Sequence, residues 1–186
     1  MTDPDEPLHA VLRAGQRIGA IGPTPVGEAI THARRFVRAL PDGCRRVLDL
    51  GSGGGLPGLV IAWDRPELDI TLVDRRTKRT DHLERAVRRL NLSGRVTVLN
   101  RDVASLSSDP AHAHSYDAIT ARSFGPPVDT IRAALPLLRP GGSVLISDPP
   151  NGDHRDVVVH SGVDVVVERV PTVPGVSIFR ARPRST

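Results

Sequence analysis

The stretch Val47-Leu48-Asp49-Leu50-Gly51-Ser52-Gly53-Gly54-Gly55-Leu56-Pro57-Gly58 opens as an apolar run and breaks into a loop containing five glycines. A run of four to eight apolar residues bounded by turn signals reads as a buried strand. The glycines then let the chain turn tightly and bring its backbone against a ligand with no side chain in the way. Gly53, Gly55 and Gly58 also satisfy the dinucleotide spacing G-x-G-x-x-G. The loop alone therefore leaves the nucleotide open. A plain structural turn would not need so many glycines, because each is costly to order on folding.

Working outward, the same alternation repeats. Strand-like runs fall at Arg46–Leu50, Asp69–Val73, Arg95–Leu99, Tyr116–Thr120 and Ser143–Ser147. Helical stretches lie between them at Leu59–Trp63, Arg76–Leu90 and Val128–Leu138, with a short piece after Asp102. Strands alternating with helices imply crossover connections, hence a parallel sheet covered on both faces. Val163–Val170 and Val176–Ala181 are joined by Pro171–Gly175, too short for a crossover helix, so they should pair antiparallel. The expected fold is α/β: a doubly wound, mostly parallel, Rossmann-like seven-stranded sheet with a C-terminal antiparallel hairpin, the layout of class I methyltransferases. Upstream, Leu8, Val11, Leu12 and Ile18 suggest a short helix. Thr24 and Pro25 then suit the cap and first position of a second helix ending at Pro41-Asp42-Gly43.

Two acids after later strands narrow the ligand. Asp74 closes the second strand, where a carboxylate can accept both hydroxyls of an adenosine ribose. Asp102 follows the third strand, at the sheet edge where an adenine amino group would lie. Nicotinamide enzymes share the first feature, but Tyr116 has no lysine four residues on, and little chain follows the fifth strand to build a substrate domain. S-adenosylmethionine is the favoured ligand.

A length of 186 residues suits one domain, read as an N-terminal helical arm over 1–43 packed on a class I methyltransferase domain over 44–186. Cys44 is the sole cysteine, which excludes an internal disulfide and any multi-cysteine metal site, so no metal is expected. The acidic start lacks a secretory layout, and no apolar run approaches the roughly 20 residues of a membrane span, so the cytoplasm is the expected compartment. Lys78 is the only lysine, so the formal charge of +4 rests on arginine, which forks onto phosphate.

Asp49-Leu-Gly-Ser-Gly-Gly-Gly-Leu-Pro-Gly58, Thr71-Leu-Val-Asp74, Lys78-Arg79 and Tyr116-Asp-Ala-Ile-Thr-Ala-Arg-Ser-Phe124 together resemble the RsmG (GidB) family of 16S rRNA guanine-N7 methyltransferases. The resemblance covers about Arg46 to Ile146. It implies that Gly51 and Leu56 line the methyl-donor pocket, that Asp102 and Val103 contact the adenosyl end, and that Arg122 sits beside cofactor or guanine in the catalytic position. With the loop and the second strand, the expected cofactor set is Asp49, Gly51, Ser52, Gly53, Gly55, Leu56, Asp74, Arg75, Asp102, Val103 and Arg122. Ribosomal RNA or the small ribosomal subunit is the implied partner. Guanine N7 already carries a lone pair, so the missing catalytic base is compatible with such a reaction.

Outside that stretch the family pattern thins. No Asn-Leu-Thr-like motif precedes the first strand, Arg101-Asp102-Val103 stands where the family has Arg, a small residue and Glu, and Ser147-Asp148-Pro149-Pro150-Asn151-Gly152 replaces a Lys-Gly. Another nucleic acid, a small molecule, or a non-catalytic cofactor-binding role stay open as alternatives. Asp148-Pro149-Pro150-Asn151 is similar to the Asp-Pro-Pro-aromatic motif of amino-methylating DNA enzymes, but follows the fifth strand and ends in Asn; a proline-rich loop is preferred. Arg75, Arg76, Lys78, Arg79, Arg85, Arg88 and Arg89 form either a phosphate-contacting surface or a solvated helix face. His112 and His114 are too few for a metal site, Trp63 suits packing at a helix end, and Cys44 reads as small and inert.

Overall fold

The structure is a computed structural model, and the residues described are 3–149, 165–170 and 173–183. Among these residues seven strands form one sheet: β1 (Arg46–Leu50), β2 (Asp69–Asp74), β3 (Val96–Asn100), β4 (Tyr116–Ala121), β5 (Leu138–Ser147), β6 (Val165–Val170) and β7 (Val176–Pro183). Their spatial order is β3-β2-β1-β4-β5-β7-β6. The first five are parallel, and β7 inserts antiparallel between β5 and β6. The order reverses between β1 and β4, and there the carboxyl ends of the strands open a crevice.

Among the described residues five helices cover the sheet: α1 (Glu6–Arg17), α2 (Val26–Ala39), α3 (Gly58–Asp64), α4 (Thr77–Arg89) and α5 (Pro127–Ala134). Alternation along β1 explains the two layers, since successive side chains point to opposite faces. Val47 joins a core built with α1, α2, α3 and α4, including Leu12, Ala33, Phe36, Leu59, Ile61, Leu83 and Val87. Leu48 and Leu50 join the opposite core with Ile119, Ile131, Leu137, Val144 and Phe179. Arg34 of α2 reaches Asp5 at 2.8 Å and Asp64 at 2.9 Å, tying the N-terminal arm to the end of α3. Among the described residues no helix is long and apolar enough to cross a membrane.

Three expectations need correction. Thr24 does not cap α2; Pro25 occupies the cap position with extended backbone and no side-chain bond. The fifth strand begins at Leu138 rather than Ser143, because the helix before it stops at Ala134 and a 3₁₀ turn over Leu135–Leu137 intervenes. Pro136 lacks the N–H that a continuing helix would use. Leu138 then pairs with Tyr116, and a register irregularity precedes the Ala118–Ser143 pair. The third strand runs Val96–Asn100, one residue later than its pattern.

Trp63 sits at the end of α3, packed on the core and donating to Asp5 at 3.1 Å. Cys44 is buried, and burial pushes its thiol up to about 11. His112 Nδ1 meets the Tyr116 hydroxyl at 2.6 Å, and His114 Nδ1 lies 3.2 Å from the Leu138 carbonyl, so both serve the fold. Asp3, Glu6 and His9 bring one ligand atom each within 4.8 Å of one another at the start of α1, with Glu6 already ion-paired to Arg13.

Candidate active site

The loop after β1 is held from beneath by polar groups. Ser52 N–H donates to the Val73 carbonyl at 2.9 Å, and Val73 N–H donates to Ser52 Oγ at 3.1 Å, so the loop is stitched to the end of β2. Asp49 is fully buried. Its carboxylate accepts from Thr120 Oγ1 at 2.7 Å and from the Gly58 amide at 3.2 Å. Burial pushes the Asp49 carboxyl up to about 6, against the lowering effect of those bonds and of nearby Arg122. A Cβ at Gly58 would lie 2.3 Å from Leu72 Cδ2 and 2.7 Å from Asp49 Oδ2, so only glycine lets α3 start this close to the strands.

Gly51 and Gly53 have φ of +62° and +56°, in the left-handed region. A Cβ on Gly51 would lie 2.8 Å from the Phe124 ring, which rests on the loop from the β4 side. Ser123, beside that ring, holds φ +56° without being glycine. Such conformations persist only where the surroundings enforce them, and they cluster at functional sites.

Asp74 ends β2 almost fully buried. Its Oδ2 accepts from the Gly53 amide at 3.1 Å and from Arg79 Nη1 at 3.2 Å, and its Oδ1 accepts from the Arg76 amide at 2.9 Å. The second strand and the glycine loop therefore meet through this carboxylate as well as through the Ser52–Val73 pair.

Three cavities adjoin at the crevice. The first, about 400 Å³, is walled by Gly51, Asp74, Arg75, Asp102, Val103 and Phe124, among others. Asp102 is exposed there and caps a 3₁₀ turn by accepting from the Ala104 amide at 3.0 Å. The second, about 190 Å³, lies over Ser52, Gly53, Gly54 and Leu56 and is roofed by Ala20, Ile21 and Gly22 of the arm. The two share Gly51, Arg79 and Ser123. The third, about 670 Å³, lies on the other side of Arg122, between α2 and the ends of β4 and β5.

Of the residues expected from sequence, Gly51, Ser52, Gly53, Leu56, Asp74, Arg75, Asp102 and Val103 line the first two cavities, and Arg122 lines the second and third. Asp49 and Gly55 line none of the three. Asp49 supports the loop from below, while a Cβ on Gly55 would strike Leu59 at 2.3 Å, so its demand is packing. Arg79, Phe124, Ser123, His32 and Arg35 join the walls without having been assigned to cofactor or catalysis. Arg79 and Phe124 stood in the quoted motifs, whereas His32 and Arg35 reach the site only through the way α2 docks.

Arg122 is half-buried, and burial lowers its pKa. Its Nη1 is buried and has no hydrogen-bond partner among the described residues. Asp49 acts on it electrostatically, yet no ion pair joins them. A buried donor without a partner is expensive, so this guanidinium suits a ligand that brings an acceptor. Outside the cavities, Lys78, Arg85, Arg88 and Arg89 are exposed along α4, and Arg75 and Arg76, which wall the first cavity, are exposed just before it.

The family model described as GidB, rRNA small subunit methyltransferase G, matches residues 8–148. A Ribosomal RNA small subunit methyltransferase G from Acidiphilium cryptum is 34% identical over 153 residues, covering 81% of this chain and 67% of that protein. The protein of that name from Roseiflexus castenholzii is 32% identical over 184 residues, covering 91% and 76%. For the one from Leptothrix cholodnii, at 33% identity over 75% of this chain, the chain spans only 63% of the relative's length. Among solved structures, a methyltransferase from Geobacter sulfurreducens superposes with a TM-score of 0.61 at 13% identity, covering 98% and 91% of the two chains. The S-adenosylmethionine-dependent methyltransferase SibL does so at 0.59 and 19%, covering 91% and 62%. These two similarities bear on the fold.

Proposed function

Because the chain belongs to the GidB family, rRNA small subunit methyltransferase G, we propose that it transfers the methyl group of S-adenosylmethionine to guanine N7 of 16S rRNA in the cytoplasm. The observation that carries the donor half is the Asp74 carboxylate. It lies at the wall of a cavity with the Gly53 amide fixed on it, next to a loop whose glycines hold positive φ. A carboxylate so placed accepts hydroxyls of a ribose, and side-chain-free Gly51 and Gly53 let a ligand approach the backbone.

The residues present fit this donor. Asp74 would take the ribose, with Arg79 shifting from its 3.2 Å contact to make room. Asp102 and Val103 would border the adenine, and Ser52, Gly53 and Leu56 the methionyl part. When bound, S-adenosylmethionine supplies an electrophilic methyl group on a sulfonium. The protein's work is then alignment and exclusion of water, since a ring nitrogen with a lone pair needs no strong base. Arg122, at the junction of donor and acceptor cavities, orients the acceptor, and the exposed arginines along α4 take backbone phosphates.

Incubating the protein with tritiated S-adenosylmethionine and small ribosomal subunits from cells lacking the protein, then analysing nucleosides by mass spectrometry, tests this. New 7-methylguanosine in 16S rRNA is expected. Cofactor binding by calorimetry without any labelled RNA would leave the donor reading and remove the acceptor.

A further inference from the structure

The third cavity combines three features that suit one ligand class. Phe124, at its mouth, is the exposed large hydrophobic residue among those described, with 37% of its surface open. A bare aromatic face beside a polar cavity is a platform for a flat ring. Arg122 lines the cavity from the β4 side, and its buried Nη1 has no hydrogen-bond partner among the described residues. Asp148, just past β5, supplies the opposite character: its Oδ1 accepts from Ser177 Oγ, and its other carboxylate oxygen has no partner among the described residues.

The remaining wall leaves these groups available. His32 Nε2 lies 3.3 Å from Ser147 Oγ, and its buried Nδ1 has no partner among the described residues. Burial, then the charges of Arg122 and Arg35, lower the His32 pKa, so the imidazole is neutral near pH 7 and does not neutralise Asp148. Arg35 also lines the cavity, with its guanidinium against Gly175, and makes no ion pair with a described residue.

Guanine presents an acceptor, O6, next to two donors, N1–H and the N2 amine. Adenine offers a donor where guanine has O6, and inosine lacks the N2 amine. A cavity that offers an arginine donor, a carboxylate acceptor and an aromatic platform matches guanine on all counts. Resting on the methyl-transfer reading above, we propose that Asp148 is the specificity-determining residue of the acceptor site, accepting from N1–H and N2–H of a guanine that Arg122 engages at O6 and Phe124 stacks. That arrangement leaves N7 unengaged by the protein and free to attack.

Saturation-transfer NMR with millimolar GMP, IMP and AMP, on protein loaded with S-adenosylhomocysteine, tests this in wild type and Asp148→Asn. Asparagine keeps an oxygen for Ser177 but cannot accept from both guanine donors. Wild type should bind GMP about tenfold more tightly than IMP, from the range typical of one well-placed base contact, and Asp148→Asn should abolish the difference. Absence of GMP binding in wild type, or a preference that survives in Asp148→Asn, overturns the proposal. Calorimetry with S-adenosylhomocysteine separates the two readings. Equal affinity in both proteins shows an intact donor site and a folded variant, whereas no binding to wild type would refute the donor assignment itself.

Discussion

Replacing Asp49 by asparagine should make the protein's stability less dependent on pH, in a direction fixed by burial. The carboxyl ionises at 3.8 in an open chain and at about 6 in the folded protein, where desolvation outweighs the bonds from Thr120 and Gly58. Its folded pKa is raised, so its stabilising contribution is complete below about 3.8 and is lost as pH rises through about 6. At about 1.4 kcal/mol per pH unit, the complete loss is about 3 kcal/mol. Between about pH 4.5 and about pH 7.5 it is about 2 kcal/mol, because the unfolded carboxyl is already largely ionised at the lower value. Asparagine can keep both contacts, its oxygen accepting from the Gly58 amide and its nitrogen donating to Thr120 Oγ1. Urea titrations of both proteins at the two pH values measure the effect. The stability of Asp49→Asn relative to wild type should improve by about 2 kcal/mol from the lower pH to the higher. A difference that stays constant between them would refute the reasoning, and would mean that the Asp49 environment is not desolvating.

Two further outcomes follow from the site. Asp74→Ala strips the acceptor from the Gly53 and Arg76 amides and removes the carboxylate from the cavity wall; calorimetric affinity for S-adenosylhomocysteine should fall at least about tenfold, in keeping with about 1.5–3 kcal/mol for a charged hydrogen bond. Arg85→Gln with Arg89→Gln, both exposed on α4, should weaken binding to small ribosomal subunits and flatten its salt dependence, while calorimetric cofactor affinity stays unchanged; an unaltered slope would place the phosphate contacts elsewhere.

Much of this architecture was readable in the residues, for local reasons. Arg46–Leu50 is legible as a strand because a β-branched and aliphatic run ending in glycine leaves few alternatives. The antiparallel tail followed from a connection too short for a helix. Errors arose where tertiary contact overrides local pattern. Leu138 has the spacing of a helical core residue, yet it pairs with Tyr116 as strand. The site divides similarly. Glycines with positive φ and an acid closing a strand are written in the chain, so Gly51, Gly53 and Asp74 could be named from it. That Asp49 would support the loop and not line a cavity depends on which face of β1 it occupies. His32 and Arg35 could not be named, because only the docking of α2 beside β5 and β7 brings them to Arg122.

The link between α1 and α2 lies directly on the glycine loop. The Ala20 carbonyl would sit 3.3 Å from a Cβ on Gly53, and Ile21 Cγ1 only 2.3 Å from one on Gly54. Further along the chain, within α2, His32 and Arg35 face the neighbouring chamber. One continuous length of backbone thus forms the lid of one compartment and the flank of the next, so a tilt of this span alters both openings at once, and neither can be widened in isolation.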